Sequence, residues 1–479
     1  MMNWIAMLRK SEMLLLLGLS ASFAGFAGQQ TDATAAERQF QAWLAAFNTG
    51  ERAVLQEFLQ KNFPDRAAHV DDELRFREMT GRFELKKTEE NEPTKYSALL
   101  KERDSDTFVR VVMEVEEADP HRIKSAQIRM TATPPEFRVT RMGEEDAVAA
   151  VKKRVDEAVA LDKFSGAVAI SRNGKTVFSQ AYGFADRQSK IPNSVQTQFR
   201  LGSMNKMFTA TAILQLAQAG KLKLTDPLGN YLKDYPNKEL AAKVTIHHLL
   251  THTGGTGDIF GPEFDKHRLE LKTLQDYVNL YGQRDLQFEP GSRWEYSNYG
   301  FLLLGIVVEK ASGQDYYEYV REHVFKPAGM TSSDSLPEDQ AVAGRSVGYM
   351  RSEGGKAWKP NVDTLPYRGT SAGGGYSTVE DLLKFANALL THKLLNAEYT
   401  ELLTTGHADT PTGSKYAYGF FDDRQDGVRS FGHGGGAPGM NGDLRIFPQS
   451  GYVVAVLSNL DPPAAQRIAT FAANRLPEK

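Results

Sequence analysis

The chain has 479 residues, of which 41% are hydrophobic and 24% charged, and its formal net charge is −3. This length predicts two or three compact units, each with a core of its own. The near-neutral charge gives no indication of a nucleic-acid partner. The sequence contains no cysteine, which excludes disulfides, thiolate nucleophiles, cysteine metal ligands and a lipid-modified cysteine.

The first residues are typical of a secretory signal peptide. Arg9 and Lys10 precede the apolar residues 13–19, and small residues follow as far as Gly28. This is the order of segments that signal peptides have. The alternative, an uncleaved membrane anchor, needs about 20 apolar residues, and this run is shorter. We therefore expect residues 1–27 to be cleaved and the mature protein to be periplasmic or secreted, without a membrane span.

Residues 31–141 predict a small α+β accessory domain in which helices precede strands. Apolar side chains recur at helical spacing in the first helix, at Phe40, Trp43, Leu44 and Phe47. Residues 108–116 alternate between apolar and polar side chains, which is typical of a strand with one buried face. Helices packed on one face of an antiparallel sheet form an α+β domain. The order of these elements resembles the nuclear-transport-factor-like domains.

A sequence that breaks regular structure, Thr133-Pro134-Pro135, ends this region. A helix is predicted next, with an apolar face at Val148, Val151, Val155 and Val159. Asn173-Gly174 then separates two strand-like runs, and this dipeptide favours a two-residue hairpin turn. We place the domain boundary near residue 142, so that residues 142–479 form the second domain.

The motif Ser203-Met204-Asn205-Lys206 stands directly before an apolar helical stretch that ends at Gly220. Lys206 is therefore expected one helical turn after Ser203, on the same face. A serine hydroxyl becomes a nucleophile when a neighbouring base accepts its proton. Lysine can be that base when it is neutral, which burial and a helix N-terminus both favour. The alternative is a capping serine beside an exposed lysine, since S-x-x-K arises by chance about once or twice in a chain this long.

Tyr296-Ser297-Asn298 is a second candidate motif. The pattern Y-x-N also occurs at Tyr235-Pro236-Asn237 and Tyr277-Val278-Asn279, so the triplet alone decides nothing. Tyr296 follows a turn-like segment and precedes an apolar helix, where a loop phenol can be oriented and desolvated. Tyr235 is predicted to lie in a turn and Tyr277 in a helix.

His433-Gly434-Gly435 lies within the glycine-rich residues 432–439. Glycine allows a backbone to approach a ligand closely, because it has no side chain. A second H-x-G, His252-Thr253-Gly254, follows an apolar run that predicts a helix end. We interpret His252 as a buried capping histidine.

These motifs occur in an order that resembles the class C β-lactamase-like serine hydrolases. That family includes penicillin-binding DD-peptidases, D-amino-acid peptidases and family VIII esterases. The resemblance covers about residues 164–460, and its further motifs are residues 245–254, Pro290-Gly291 and Ala372-Gly373-Gly374. It implies an α/β (α+β) catalytic domain of the β-lactamase/transpeptidase type, with three layers, an antiparallel sheet flanked by helices and an inserted helical region. The site is implied to lie between the sheet and that region.

By this resemblance Ser203 is the nucleophile and Lys206 is its base, while Tyr296 relays protons. The backbone N–H groups of Ser203 and Gly436 are implied to form the oxyanion hole. The implied substrate-binding residues are Asn298, His433, Gly434 and Gly435. No metal and no organic cofactor is expected, and the partner is a small-molecule or peptide substrate.

Many β-lactamases and penicillin-binding proteins have lysine at the position of His433. Histidine is mostly neutral near pH 7 and offers no permanent cation to a substrate carboxylate. We therefore expect an ester or amide substrate, cleaved through a Ser203 acyl-enzyme by an esterase or D-amino-acid peptidase. The alternatives are a β-lactamase or penicillin-binding DD-carboxypeptidase, and a non-catalytic binding or regulatory homologue.

Two further patterns are interpreted as non-catalytic. Gly344-Arg345-Ser346-Val347-Gly348 matches G-x-S-x-G but lacks the strand and helix that a nucleophile elbow requires. His248 and His252 have the spacing of a zinc site without the glutamate of H-E-x-x-H.

Overall fold

The computed structural model describes residues 33–352 and 357–479. The predicted signal segment 1–27 lies outside the described residues. The chain divides into two compact units, and the division follows Phe137, whereas the sequence places it near residue 142. None of the helices in the described part of the chain has the length and apolar character needed to cross a membrane.

Within its described residues, 33–137, the first unit contains three α-helices and a four-stranded sheet. Its helices are α1 (Ala35–Thr49), α2 (Arg52–Asn62) and α3 (Val70–Thr80), and its strands are β1 (Phe83–Asn91), β2 (Lys95–Glu102), β3 (Phe108–Val115) and β4 (Ile123–Thr131). Each strand pairs antiparallel with the next, in the order β1-β2-β3-β4. This is the predicted arrangement of helices first and strands second.

Helix α1 holds this unit together through its apolar face. Thr34 caps the helix by accepting a hydrogen bond from the Glu37 backbone N–H at 3.0 Å. The Phe40 ring lies 4.6 Å from the Tyr96 ring between centroids, and the Phe47 ring is buried beside β1. The predicted apolar face of α1 therefore packs against the sheet, which buries both surfaces.

The second unit contains the larger sheet. Its strands are β5 (Gly166–Arg172), β6 (Lys175–Tyr182), β13 (Ala408–Asp409), β14 (Lys415–Tyr416), β15 (Phe421–Gln425), β16 (Val428–Ala437), β17 (Met440–Ile446) and β18 (Tyr452–Ser458). They run in the order β13-β14-β15-β16-β17-β18-β5-β6, all antiparallel. Asn173 and Gly174 join β5 to β6 with φ values of 49° and 77°. The predicted hairpin is thereby confirmed, because this turn requires positive φ at both positions.

The described part of this unit also contains α-helices and short strands. The helices are α4 (Glu144–Ala160), α5 (Asn205–Gln218), α6 (Lys238–Lys243), α7 (Ile246–Leu250), α8 (Pro262–His267), α9 (Leu274–Tyr281), α10 (Asn298–Ser312), α11 (Tyr316–Val320), α12 (Lys326–Ala328), α13 (Val379–Leu390), α14 (Ala397–Thr404) and α15 (Ala464–Ala473). The short strands are β7 (Phe184–Asp186), β8 (Ile191–Pro192), β9 (Phe199–Arg200), β10 (Tyr349–Arg351), β11 (Trp358–Pro360) and β12 (Tyr376–Ser377).

The large sheet is the middle of three layers. Along β18, Val454 and Val456 belong to the apolar core shared with α4 and α15, while Val453 and Ala455 belong to the core shared with α5 and α10. Successive side chains of a strand point to opposite faces, so both faces of the sheet are covered by helices. This confirms the predicted three-layer architecture. Residues 205–214 of helix α5 are all buried, so its first turn is shielded from water.

Candidate active site

Ser203 lies in one turn of 3₁₀-helix, Gly202–Met204, immediately before α5. Gly202 has a φ of 53°, and a Cβ added to it would lie 2.7 Å from the Gly436 backbone nitrogen. Only glycine allows so close an approach at positive φ. The serine turn therefore packs directly on β16, and the two predicted oxyanion donors, Ser203 N–H and Gly436 N–H, lie on facing segments.

Lys206 is fully buried in the first turn of α5. Its Nζ lies 3.3 Å from Ser203 Oγ and 2.7 Å from Asn298 Oδ1. It also lies 2.6 Å from the Ala372 carbonyl oxygen. An ammonium has three donors, and these contacts accommodate all of them. The neutral amine keeps two N–H donors and has a lone pair in place of the third. Of these three partners only Ser203 has a hydroxyl, so Ser203 can donate a hydrogen bond to that lone pair.

The environment of Lys206 makes a neutral amine accessible. Burial lowers the pKa of Lys206 to about 7, although the negative charge of Asp258 opposes this shift. Burial has this effect because the charged form loses its hydration. A base with a pKa near the working pH is suited to accept a proton and to return it later. The structure thus meets the condition that the sequence analysis set for a lysine base.

Tyr296 is a neutral phenol in this environment. Burial raises the pKa of Tyr296, a hydrogen bond with Ser203 partly offsets this, and the Asp258 charge raises it further. Its ring faces Lys206, with Nζ 4.6 Å from the ring centroid. A phenol of raised pKa can donate a proton but is a poor site for a resting negative charge. The geometry therefore favours Lys206 as the proton acceptor and Tyr296 as the donor.

Asn298 is the first residue of α10, a helix that Ser297 caps by accepting from the Gly300 N–H at 2.9 Å. The Asp258 carboxylate accepts hydrogen bonds from the Asn298 backbone N–H at 2.9 Å and from Asn298 Nδ2 at 3.1 Å. The sequence analysis did not identify Asp258. Nothing in the spacing of the chain could have done so, because 40 residues separate the two partners.

The motif Ala372-Gly373-Gly374 completes the surroundings of Lys206. The Gly374 N–H donates to the Gly202 carbonyl at 3.0 Å, and a Cβ added to Gly373 would lie 2.9 Å from that same carbonyl oxygen. This packing brings the Ala372 carbonyl to Lys206. The sequence analysis assigned no role to these residues, and a backbone acceptor leaves no signature in side-chain type.

His433 lies on β16 with both ring nitrogens engaged inside the protein. Its Nδ1 donates to the Gly434 carbonyl, so its Nε2 is the acceptor of the Tyr416 hydroxyl at 3.1 Å. Burial, with a smaller contribution from Lys206, lowers the pKa of His433 to about 3. His433 is therefore neutral at physiological pH, as the sequence analysis expected, and it presents no cation to a ligand. Gly434 and Gly435 follow it on the same strand.

The fully buried Asn441 holds the glycine strand at the predicted oxyanion hole. Its Nδ2 donates to the Gly435 carbonyl at 2.8 Å, and its Oδ1 accepts from the Ala465 N–H at 2.6 Å. The Gly435 carbonyl and the Gly436 N–H belong to one planar peptide and point in opposite directions. Asn441 therefore orients the Gly436 N–H, a function that the sequence analysis did not predict.

The residues of the two patterns that the sequence analysis interpreted as non-catalytic have structural roles. His252 is buried with a φ of 59° directly after α7, and its Nδ1 accepts from the Ser297 N–H at 3.1 Å. His248 takes part in the capping box of α7 with Thr245. The interpretation of both histidines as capping or packing residues is confirmed. Ser346 donates to the Gln198 carbonyl at 3.3 Å and lies in a loop, so the nucleophile elbow is absent there.

The close approach of β16 to the serine turn leads to a prediction for Gly435→Ala. The added Cβ would lie 1.8 Å from the Leu201 carbonyl oxygen, so two backbones must separate. We expect a loss of stability of about 3 kcal/mol and a fall in activity on the order of 100-fold as the oxyanion donors separate. Urea denaturation and ester hydrolysis measure the two effects.

Gly434→Ala is the matched control for stability, because the atom nearest to its added Cβ would be the Gln466 side-chain nitrogen, at 3.2 Å, and the next two would lie at an ordinary contact distance of 3.6 Å. A flexible side chain can move by the few tenths of an ångström required. We expect its unfolding midpoint to stay close to that of the wild type. Equal midpoints for the two variants would contradict the packing described above.

Comparison with known proteins places this site in a family. The beta-lactamase family model matches residues 151–477. The chain belongs to the beta-lactamase family. The matched residues include every candidate site residue described above, and the family is one of serine hydrolases. The protein is therefore a serine hydrolase of the beta-lactamase family.

Individual relatives agree with this membership. The putative penicillin-binding protein PbpX of Bacillus subtilis (strain 168) is 33% identical over 296 residues, which cover 61% of this chain and 70% of that protein. The crystal structure of the penicillin binding protein from Bacillus halodurans superposes with a TM-score of 0.61 at 37% identity, over 66% of this chain and 99% of the other. A D-stereospecific amidohydrolase from Streptomyces sp. superposes with a TM-score of 0.56 at 28% identity, over 67% and 97%.

Proposed function

We propose that this member of the beta-lactamase family hydrolyses an ester or an amide, such as a D-amino-acid peptide, through an acyl-enzyme on Ser203. The observation that carries the proposal is the buried Lys206, whose pKa is lowered to about 7 and whose Nζ lies 3.3 Å from Ser203 Oγ. A buried lysine of this kind serves no packing purpose that an apolar side chain would not serve better. Its arrangement is that of a base beside a nucleophile.

In the proposed acylation, Ser203 Oγ attacks the substrate carbonyl carbon while its proton moves to the neutral amine of Lys206. The carbonyl oxygen becomes negative and accepts hydrogen bonds from the N–H groups of Ser203 and Gly436. Tyr296 donates its proton to the leaving alcohol or amine and regains one from Lys206. The bond to the leaving group breaks, and the acyl group remains on Ser203.

Deacylation follows the same steps in reverse, with water in place of the leaving group. Water attacks the ester carbonyl, and its proton passes to Lys206 through the Tyr296 hydroxyl. The oxyanion collapses, the bond between the acyl carbon and Ser203 Oγ breaks, and Oγ takes a proton from Lys206 as the acid product departs. Asn298 keeps Lys206 in place throughout, because its Oδ1 accepts a hydrogen bond from Lys206 Nζ.

The neutral state of His433 supports an ester or amide substrate over a β-lactam. A carboxylate buried beside His433 would meet no cation, and burial of an unpaired charge is costly. The similarity to the D-stereospecific amidohydrolase from Streptomyces sp. points to the same substrate class. We therefore propose an esterase or D-amino-acid peptidase activity, in agreement with the substrate expected from the sequence.

Recognition of penicillins is the second candidate function. It is favoured by the similarity to the penicillin-binding proteins of Bacillus subtilis and Bacillus halodurans. A panel of a short-chain nitrophenyl ester, a cephalosporin and a D-Ala-D-Ala peptide separates the two functions. Fast ester hydrolysis with slow cephalosporin opening supports the first proposal, and the reverse order supports the second. A stable penicilloyl adduct on Ser203 indicates a slowly deacylating peptidase.

His433→Lys tests the proposed role of charge in substrate choice. A lysine there would become a cation when the β-lactam carboxylate lies beside it, because an opposite charge favours the protonated amine. A charge-assisted hydrogen bond of about 1.5–3 kcal/mol then corresponds to roughly a 10- to 100-fold faster cephalosporin acylation. Ester hydrolysis should not gain, because the ester lacks a carboxylate. His407→Lys, which changes a histidine outside the site, is the control and should alter neither rate. An unchanged cephalosporin rate in His433→Lys would contradict this account.

We also propose that the protein acts in the periplasm or outside the cell. The support is the order of charged, apolar and small residues in residues 1–27.

A further inference from the structure

We propose that Asp258 is a positioning residue of this site, which acts through Asn298 by turning its carboxamide oxygen toward Lys206. This inference rests on the proposed function, because it assigns Asp258 a part in the same acyl transfer. Asp258 lies in the loop between α7 and α8, and its side chain is partly exposed.

The hydrogen bonds of Asp258 determine the orientation of the Asn298 amide. Its Oδ1 accepts from the backbone N–H groups of Ile259 at 2.8 Å and Asn298 at 2.9 Å. Its Oδ2 lies 3.1 Å from Asn298 Nδ2. A carboxylate only accepts hydrogen bonds, so the group of Asn298 that faces it must be the NH₂. The carboxamide oxygen is thereby directed to Lys206 Nζ at 2.7 Å.

The loop that carries Asp258 is attached to the start of α10. Ser297 Oγ donates to the Gly257 carbonyl at 2.5 Å and lies 3.0 Å from Thr256 Oγ1. The Asp258 carbonyl accepts from the Arg284 guanidinium at 2.6 Å. The carboxylate also stands at the positive N-terminal end of a 15-residue helix, where a negative charge is favoured. The position of the carboxylate is therefore defined on several sides.

The charge of Asp258 also acts on Lys206. The other titratable groups that face the amine are His252, His433 and Tyr296, and burial keeps all three neutral by lowering the pKa of the histidines and raising the pKa of the tyrosine. The negative charge of Asp258 opposes the lowering of the Lys206 pKa by burial. Removal of this charge should lower the pKa of Lys206 further.

Asp258→Asn tests this inference. The carboxamide oxygen introduced at position 258 can still accept from both backbone N–H groups, but the new NH₂ would face the NH₂ of Asn298. Asn298 must then flip and present a donor to Lys206, itself a donor. We expect kcat for the nitrophenyl ester to fall about 10- to 100-fold and the acid limb of kcat/KM to move to lower pH. Asp276→Asn is the control, because that carboxylate caps α9 in a similar way outside the site.

A double-mutant cycle with Asn298→Asp distinguishes positioning from simple stabilisation. Asn298→Asp alone places two carboxylates side by side and should be impaired. In that background Asp258→Asn restores a donor opposite an acceptor, so it should raise activity instead of lowering it. If Asp258 had a structural role alone, Asp258→Asn would lower activity by a similar factor in the wild type and in Asn298→Asp, and it would not raise activity in either.

The outcomes separate this inference from the proposed function. Ser203 labelling and ester hydrolysis by the wild type, together with unchanged kcat and pH profile in Asp258→Asn, would overturn the inference alone. A wild type that neither hydrolyses the panel nor is labelled at Ser203 would overturn both. Circular dichroism checks that each variant is folded. If Asp258→Asn alone does not fold, the double variant Asp258→Asn with Asn298→Asp is tested instead. Activity of the double variant below that of Asn298→Asp would then overturn the inference.

Discussion

Ser203→Ala is expected to abolish covalent labelling by a fluorophosphonate probe and to reduce ester hydrolysis by about four orders of magnitude or more. The reason is that Ser203 Oγ is the hydroxyl in contact with Lys206 Nζ, at 3.3 Å, and alanine leaves no atom to carry the acyl group. The oxyanion donors and the fold are unaffected by the loss of one oxygen. Mass spectrometry of the labelled protein measures the first effect, and initial rates measure the second.

Ser346→Ala is the matched control for this experiment. Ser346 stands in a G-x-S-x-G motif, yet its hydroxyl donates to the Gln198 carbonyl within a loop. Labelling and hydrolysis should match those of the wild type. Persistent labelling of Ser203→Ala would disprove the assignment of the nucleophile. A wild type that takes up no label and hydrolyses none of the panel substrates would favour a non-catalytic binding or regulatory role.

Lys206→Met is expected to slow acylation by about three orders of magnitude or more while the protein stays folded. Methionine has nearly the length of lysine and is suited to the buried position, but it cannot accept the proton of Ser203. In the wild type, kcat/KM should rise with pH through about 7, because burial lowers the pKa of Lys206 to that value and the neutral amine is the active form. The residual activity of Lys206→Met should lack this rise.

Lys206→Arg separates the charge of this residue from its basicity. An arginine keeps a cation near Ser203 but does not lose its proton at working pH. We expect it to be as inactive as Lys206→Met at every pH. The pKa of His433 is lowered to about 3, so its titration cannot produce a rise near neutrality. An unchanged pH profile in either variant would show that a group other than Lys206 is the base.

The local parts of the fold and site could be read from the sequence. The spacing of Phe40, Trp43 and Phe47 predicted the buried face of α1, and Asn173-Gly174 predicted the hairpin of β5 and β6. The three-residue separation of Ser203 and Lys206 predicted that they share a helix face. Each of these depends on neighbours a few residues apart, where backbone geometry determines which side chains meet.

The contacts that tune Lys206 could not be read in this way. Its hydrogen bonds to Asn298 and to the Ala372 carbonyl span 92 and 166 positions, and no periodicity relates such partners. Asp258 and Asn441 are ordinary polar residues by type, and neither belongs to a motif. Their roles appear only when the loop after α7 meets α10 and when β16 meets β17.

The sequence by itself indicated the candidate nucleophile and its base through the resemblance that several motifs in order carry, and residue type predicted a mostly neutral side chain at position 433. The tertiary structure decided that Lys206 is fully buried and has a pKa of about 7, and that both nitrogens of His433 are engaged. Burial and hydrogen-bond partners depend on segments that are distant in the chain and adjacent only after folding. Desolvation, the largest cause of both pKa shifts, is therefore a property of the folded protein.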